Sequence, residues 1–222
     1  MKPFFITLLT ATALCLTSGC AVNSFTSQFT TVSAYQPANV FRDAEQLPKD
    51  IKRVAVLPLT ATGAEADTEF GRDVIGPLLV EELGLARKFE LVAVSPEQLR
   101  RWTGRSHWSG DEILPPDFFE KLRGALACDA VVFCRLTQYR AYPPLAVGWR
   151  LKLIETEEPH LLWSVDEVFD AREPGVAEAA RRHARTQPVA APSVADASTI
   201  LVSPRRFAQY AARATFATLP AR

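Results

Sequence analysis

A chain of 222 residues has room for one domain plus a leader and a tether, and 48% hydrophobic against 23% charged residues excludes global disorder. Basic and acidic residues both number 25, and taking away residues 1–19 removes Lys2 alone, leaving 24 against 25. So even a balance gives no long-range field to gather nucleic acid or an anionic surface, and it favours partners recognised by local shape and apolar contact.

The first 19 residues pair Lys2 with an apolar stretch over residues 4–16 and then the small residues Thr17-Ser18-Gly19. This is the layout of an export signal with its cleavage site. The apolar stretch is shorter than the roughly 20 residues of a membrane-spanning helix. Leu16-Thr17-Ser18-Gly19-Cys20 resembles the lipobox of bacterial lipoproteins, with Thr17 where that family usually carries leucine. The resemblance implies cleavage before Cys20 and lipid (diacylglycerol and an acyl chain such as palmitate) on Cys20. Several acyl chains on one residue anchor stably where a single chain does not. Ala21, rather than aspartate, after the cysteine implies the outer membrane, facing the periplasm.

Residues 20–49 read as the lipidated cysteine and a tether rich in Ser, Thr, Asn and Gln, with Phe25, Phe29 and Tyr35 scattered through it. A mixed domain is expected over residues 50–172. The uninterrupted apolar run 54–59 predicts a buried strand. Residues 69–87 predict a helix with Phe70, Val74, Ile75, Leu78 and Leu85 on one broad face and a kink or late start at Gly76-Pro77. Residues 89–94 form a second strand, and Ser95-Pro96-Glu97 opens a short helix with serine as N-cap and proline at its first position. A loop over 103–114 leads to a helix ending near residue 127. Three strands follow, over 129–139, 147–153 and 160–170. Pro143-Pro144 shapes the first turn, and Gly148, Arg150 and Lys152 alternate with apolar neighbours on a half-exposed strand. Residues 173–222 read as a helical C-terminal extension. It is basic at Arg181, Arg182 and Arg185, has a flexible loop over 187–199, and ends in a helix carrying Phe207, Tyr210, Ala211 and Ala214 at core spacing. The order β-α-β-α-α-β-β-β-α-α predicts an α/β (α+β) fold, a mixed sheet of about five strands with helices packed on it.

Three segments carry a resemblance: Val54-Ala55-Val56-Leu57-Pro58-Leu59 followed by an apolar helix and Phe89-Glu90-Leu91-Val92; Cys128-Asp129-Ala130-Val131-Val132; and Leu161-Leu162-Trp163-Ser164. Over about residues 50–170 they resemble a class of envelope lipoprotein domains. This class includes the N-terminal domain of the Tol-system translocation protein, the curli secretion lipoprotein and the lipoproteins that activate penicillin-binding proteins. The resemblance implies binding and assembly in the periplasm. The extension from Glu173 departs from the class.

The residues themselves offer no catalytic constellation. His107, His160 and His183 have no second ligand at metal spacing, and no nucleophile elbow, P-loop or dinucleotide fingerprint is present. Glu81-Glu82, Asp111-Glu112 and Glu157-Glu158 are sequence neighbours, read as solvated faces rather than carboxylates opposed across a cleft. Cys128 and Cys134 are too far apart along an extended chain, roughly 20 Å, for a disulfide, and are expected as buried free thiols. The candidate partner-binding residues are Arg101, Trp102, Arg105 and Trp108, which mix cations and aromatics around Gly104, and Tyr139 and Tyr142 beside the Pro143-Pro144 turn. Core packing is the competing reading for the tryptophans. Trp149 and Trp163, on strands, read as core. The expected function is a non-catalytic binding or assembly module, with membrane contact through lipid on Cys20, an envelope protein partner, and no nucleic acid, cofactor or metal. Homo-oligomerisation stays open. The alternatives are an oligomeric outer-membrane secretion-channel subunit, which needs alternating strands of about 9–11 residues, and a cell-wall enzyme with an unrecognised site. Residues 147–153 and 160–168 alternate, but Asp166 and Glu167 interrupt the second.

Overall fold

The computed structural model describes residues 35–61, 66–186 and 194–222; Cys20 and the rest of the leader, with Phe25 and Phe29, lie outside them. The elements in chain order are β1 (Val40–Arg42), β2 (Arg53–Val56), β3 (Thr60–Ala61), α1 (Ala66–Leu85), β4 (Glu90–Ala93), α2 (Pro96–Thr103), α3 (Phe118–Leu126), β5 (Ala130–Arg140), β6 (Ala146–Glu155), β7 (Leu161–Asp170), α4 (Pro174–Thr186), α5 (Val194–Thr199) and α6 (Pro204–Phe216).

Val54, Ala55 and Val56 lack polar alternation because both faces of β2 are covered and both its edges are paired, in parallel with β4 and β5. From β5 the chain runs as an antiparallel meander through β6 and β7 to β1, giving the order β1-β7-β6-β5-β2-β4 with β3 added beside β5. The expected α/β fold with a mixed sheet is what the chain adopts. Two short strands bring the sheet from about five to seven. The Asp129 carboxylate ties the parallel strands at their start by accepting from the backbone N–H of Lys52 and Arg53, each at 2.8 Å.

Alternation along β5 splits the core in two. Val132, Cys134 and Leu136 face the layer of α1, α4 and α6, whereas Val131 and Phe133 face α2 and α3. α2 is fixed by its ends: Ser95 and Gln98 form a reciprocal capping box and Gly104, at φ +84°, closes it in the left-handed region. On α1 the buried stripe is Ile75, Leu78, Leu79, Glu82 and Leu83. Phe70 and Leu85, expected on this face, are 64% and 55% exposed. At about 100° per residue Phe70 stands some 140° from Ile75, outside the stripe. Glu82, read as a solvated residue, belongs to it and is 2% exposed. The two cysteines are free and buried, and burial pushes their thiols up, to about 11 at Cys128 and about 12 at Cys134.

The boundaries expected at residues 50 and 173 fall inside one unit. At the N-terminal side β1 pairs with β7, the Tyr35 ring packs edge-on against Phe169, and Leu47 is buried. At the C-terminal side the indole N–H groups of Trp149 and Trp163 donate to Thr215 and Thr218, each at 3.1 Å. Backbone bonds from Leu47 to Ala221 and from Ala221 to Glu45, both 2.8 Å, join the two ends. A buried indole needs a partner for its N–H, and here Thr215 of α6 and Thr218 just beyond its end supply one each. Part of the flexible loop expected over 187–199 is helix α5, which leads Ala197 and Ile200 into burial; residues 187–193 lie outside the described residues.

Candidate functional site

α2 and α3 cover only part of their face of the sheet. Beyond Phe133 that face carries Arg135, Arg150, Lys152, Ser164, Asp166, Val168 and Phe41, with Phe41 46% and Val168 40% exposed. The register sets these side chains in rows. Arg135, Arg150 and Asp166 lie directly opposite one another on β5, β6 and β7; Phe133, Lys152, Ser164 and Phe41 form the next row, out to β1. Two arginines opposite one another on neighbouring strands repel. The conflict is resolved from above by Asp111, brought down by the loop after α2.

Asp111 Oδ2 accepts from Arg135 Nη1 at 2.9 Å and Arg150 Nη1 at 2.8 Å, and Oδ1 accepts from Lys152 Nζ at 2.7 Å. Lys152 Nζ also donates to the Gly110 carbonyl at 3.0 Å, and Arg150 Nε donates to Asp166 Oδ2 at 2.7 Å. The loop lies close to the strands: a Cβ on Gly110 would meet Lys152 and Phe133 at 3.1 and 3.2 Å. Burial alone would raise the Asp111 carboxyl, but the hydrogen bonds from Lys152, Arg150 and Arg135 outweigh it and hold the group down at about 2. Beside this ladder a shallow depression of about 350 Å³ is lined by Phe41, Asp111, Arg150, Lys152, Ser164 and Asp166. Such a surface offers charged groups already fixed in position, with apolar contacts at its margin, which is how a protein-binding face gains specificity.

Because the folded pKa of Asp111 lies below its unfolded value of about 3.9, its contribution is complete above that value and is lost as pH falls towards 2. Asp111→Asn is expected to cost about 2 kcal/mol at neutral pH, and the gap to the wild type should narrow in urea titrations carried out between about pH 4 and pH 2.

The six residues singled out in the sequence divide between two places. Trp108 is 6% exposed, stacks edge-on with Phe118 at 5.4 Å and donates its indole N–H to Thr103 Oγ1 at 2.8 Å. Trp102 is half-buried against the same cluster. Arg101 and Arg105 are exposed; Arg105 lies over the Trp108 ring at 4.2 Å and pairs with Glu112 at 2.8 Å. Tyr139 belongs to the edge of the other core, its ring pressed on Gly71, where a Cβ would meet it at 2.6 Å. Tyr142 is 77% exposed. The ladder residues were not singled out. Their signal was the Gly148, Arg150, Lys152 alternation together with Asp166, which give charges on one face of adjacent strands.

No protein-family model matches this chain. No curated protein matches it either. Among solved structures it is similar to the PelC dodecamer from Paraburkholderia phytofirmans, at 12% identity over 77% of this chain and 95% of that one, TM-score 0.38. It is similar to lipoprotein GNA1162 from Neisseria meningitidis, at 15% identity over 53% and 79%, TM-score 0.35. A third similarity is to the LpoB C-terminal domain from Salmonella enterica, at 14% identity over 53% and 82%, TM-score 0.32.

Proposed function

We propose that this chain is a lipid-anchored envelope protein, held at the outer membrane on its periplasmic side, whose domain binds a protein partner without catalysis. The observation that carries the binding reading is the part of this sheet face that α2 and α3 leave open among the described residues. Its Arg135–Arg150–Asp166 row is locked by Asp111, and exposed Phe41 and Val168 lie on the same face. Fixed charges lose little freedom when a partner docks, so complementary charges on that partner select it at low entropic cost. The same charges argue against the channel alternative. β5, β6 and β7 reach 11, 10 and 10 residues, long enough for a barrel strand, yet Arg150, Lys152 and Asp166 on the uncovered face would be costly against lipid. Among the described residues no helix is long and apolar enough to cross a membrane, and lipid on Cys20 supplies the anchor in this reading.

Cys20→Ala is expected to abolish labelling by a palmitate analogue in cells and to move the protein out of the membrane fraction. Continued labelling of the variant would contradict the anchor. Reversing the row with Arg150→Glu is expected to weaken partner recovery from detergent extracts at least tenfold. Unchanged recovery would remove the sheet face from the interface.

A further inference from the structure

We propose that the hollow between the C-terminal ends of α1 and α6 is a ligand site, which takes a compact apolar group ending in a carboxylate and holds it by Arg213 and Lys88. α1 and α6 pack on one side of the sheet and the Arg135–Arg150–Asp166 row stands on the other. The site is therefore separate from the partner-binding face and does not rest on that reading. The hollow measures about 540 Å³. That is the size of a small-molecule site, which is mostly apolar with a few polar groups fixed in place.

The apolar lining comes from the two helix ends. α1 stops at Leu85, and Arg87, at φ +51°, turns the chain towards β4. Leu85 and Ala86 line the hollow from this end, with Lys88 two residues on; α6 supplies Phe216 and, just past its last turn, Ala217. Leu85 is 55% exposed beside the hollow, so a ligand that covers it removes apolar surface from water. The last carbonyls of both helices are largely taken. Leu83 and Gly84 accept from the backbone of Ala86 and Arg87, and Arg213, Thr215 and Phe216 accept from that of Ala217, Thr218 and Leu219. The helix ends therefore oppose an anion only weakly.

Glu82 prepares the polar side. Its Oε2 accepts from Arg213 Nε at 2.7 Å, its side chain is 1% exposed, and its Oε1 is enclosed without a partner among the described residues. The acid is thus spent on orienting Arg213. The guanidinium is held by Nε alone: its two Nη groups make no hydrogen bond among the described residues, and the side chain stays 39% exposed. Lys88 is half-buried and has no ion pair among the described residues. Two cations against one acid leave the lining one positive charge in excess. A monoanion balances that charge, whereas a phosphate dianion exceeds it. A carboxylate accepts from two N–H donors of one guanidinium at once. Because Glu82 already fixes the guanidinium, little freedom is lost when the ligand docks.

The test uses chain 20–222 with Cys20→Ser, which retains every described residue. Octanoate and N-acetylleucine, each beside its uncharged amide, are added at neutral pH and followed by backbone amide nuclear magnetic resonance. The expected result is saturable shifts at Leu85, Ala86, Lys88, Phe216 and Ala217 with an acid, and binding of its amide weaker by about tenfold or more. Response to octanoate alone supports the site with a lipid-derived acid as its ligand; response to N-acetylleucine alone supports it with the C-terminus of a polypeptide. Lys88→Gln is expected to weaken binding about fivefold, and Ala217→Phe, which fills the hollow, to abolish it. Neither residue is buried, so both variants should melt as the parent does. Equal binding of acid and amide would leave only an apolar hollow and overturns the proposal. So do shifts confined to other residues, no shift with either acid, or binding that both variants leave unchanged.

Discussion

Arg213→Ala is expected to lower the free energy of unfolding by about 3 kcal/mol, because it strands a buried carboxylate. Glu82 lies on the core stripe of α1 with its side chain 1% exposed, and Arg213 Nε of α6 donates to its Oε2 at 2.7 Å. Its Oε1 has no hydrogen-bond partner among the described residues. Removing the guanidinium leaves a charge where water is scarce, while the 39% exposure of Arg213 admits some solvent and keeps the loss to the lower part of the range for broken buried pairs. The double variant Glu82→Met with Arg213→Leu should regain most of that stability, since apolar packing replaces the pair. Urea unfolding of the two single variants and the double one measures both statements. If the double variant is as unstable as Arg213→Ala, the pair is not what joins α1 to α6 here.

Trp149→Ala should be the most damaging single change, at about 4 kcal/mol and a fall in Tm of roughly 10 °C. Trp149 is 0% exposed in the centre of the meander, packs on Phe169 with ring centroids 5.9 Å apart, and bonds to Thr215 on α6. The loss combines a large cavity with an unpaired hydroxyl on α6. Trp149→Phe separates the two: it keeps most of the volume, frees Thr215, and should cost about 1–2 kcal/mol. Thermal unfolding followed by near-ultraviolet circular dichroism reads both variants. Equal losses would mean that the bond to α6, rather than the cavity, dominates.

Local signals in the sequence were readable wherever the physics is local. Ser95 caps α2 through a bond to the Gln98 N–H three residues on, and Pro96 stands at the first helical position, so the start of that helix could be placed from the sequence. The unbroken Val54-Ala55-Val56 run and the alternation around Trp149 and Leu151 depend only on whether one or both faces of a strand are covered. What depends on distant pairing was not readable. Val40–Arg42 sits in a stretch with the composition of a tether and becomes a strand because β7 offers it a free edge. Glu82 looked like half of a solvated pair; its burial follows from its phase on α1 and from Arg213, 131 residues away. The ladder needs the register of three strands, which places Arg135, Arg150 and Asp166 in line, and a loop that drops Asp111 between them. Trp108 shows the limit of composition: a cation–aromatic mix describes both a binding loop and a ring folded onto Phe118 with Arg105 lying over it.

The binding face is tested most directly in living cells by photo-crosslinking from single positions. A photoreactive residue replaces Phe41 or Val168 on the open sheet face, or Val202, which is 60% exposed in the segment between α5 and α6. The expected result is one dominant adduct with the same envelope protein from Phe41 and Val168, none with it from Val202, and loss of the adduct when Cys20 is replaced. Absence of a specific adduct at both strand positions, or equal capture of that protein from Val202, would contradict a partner-binding role for this face.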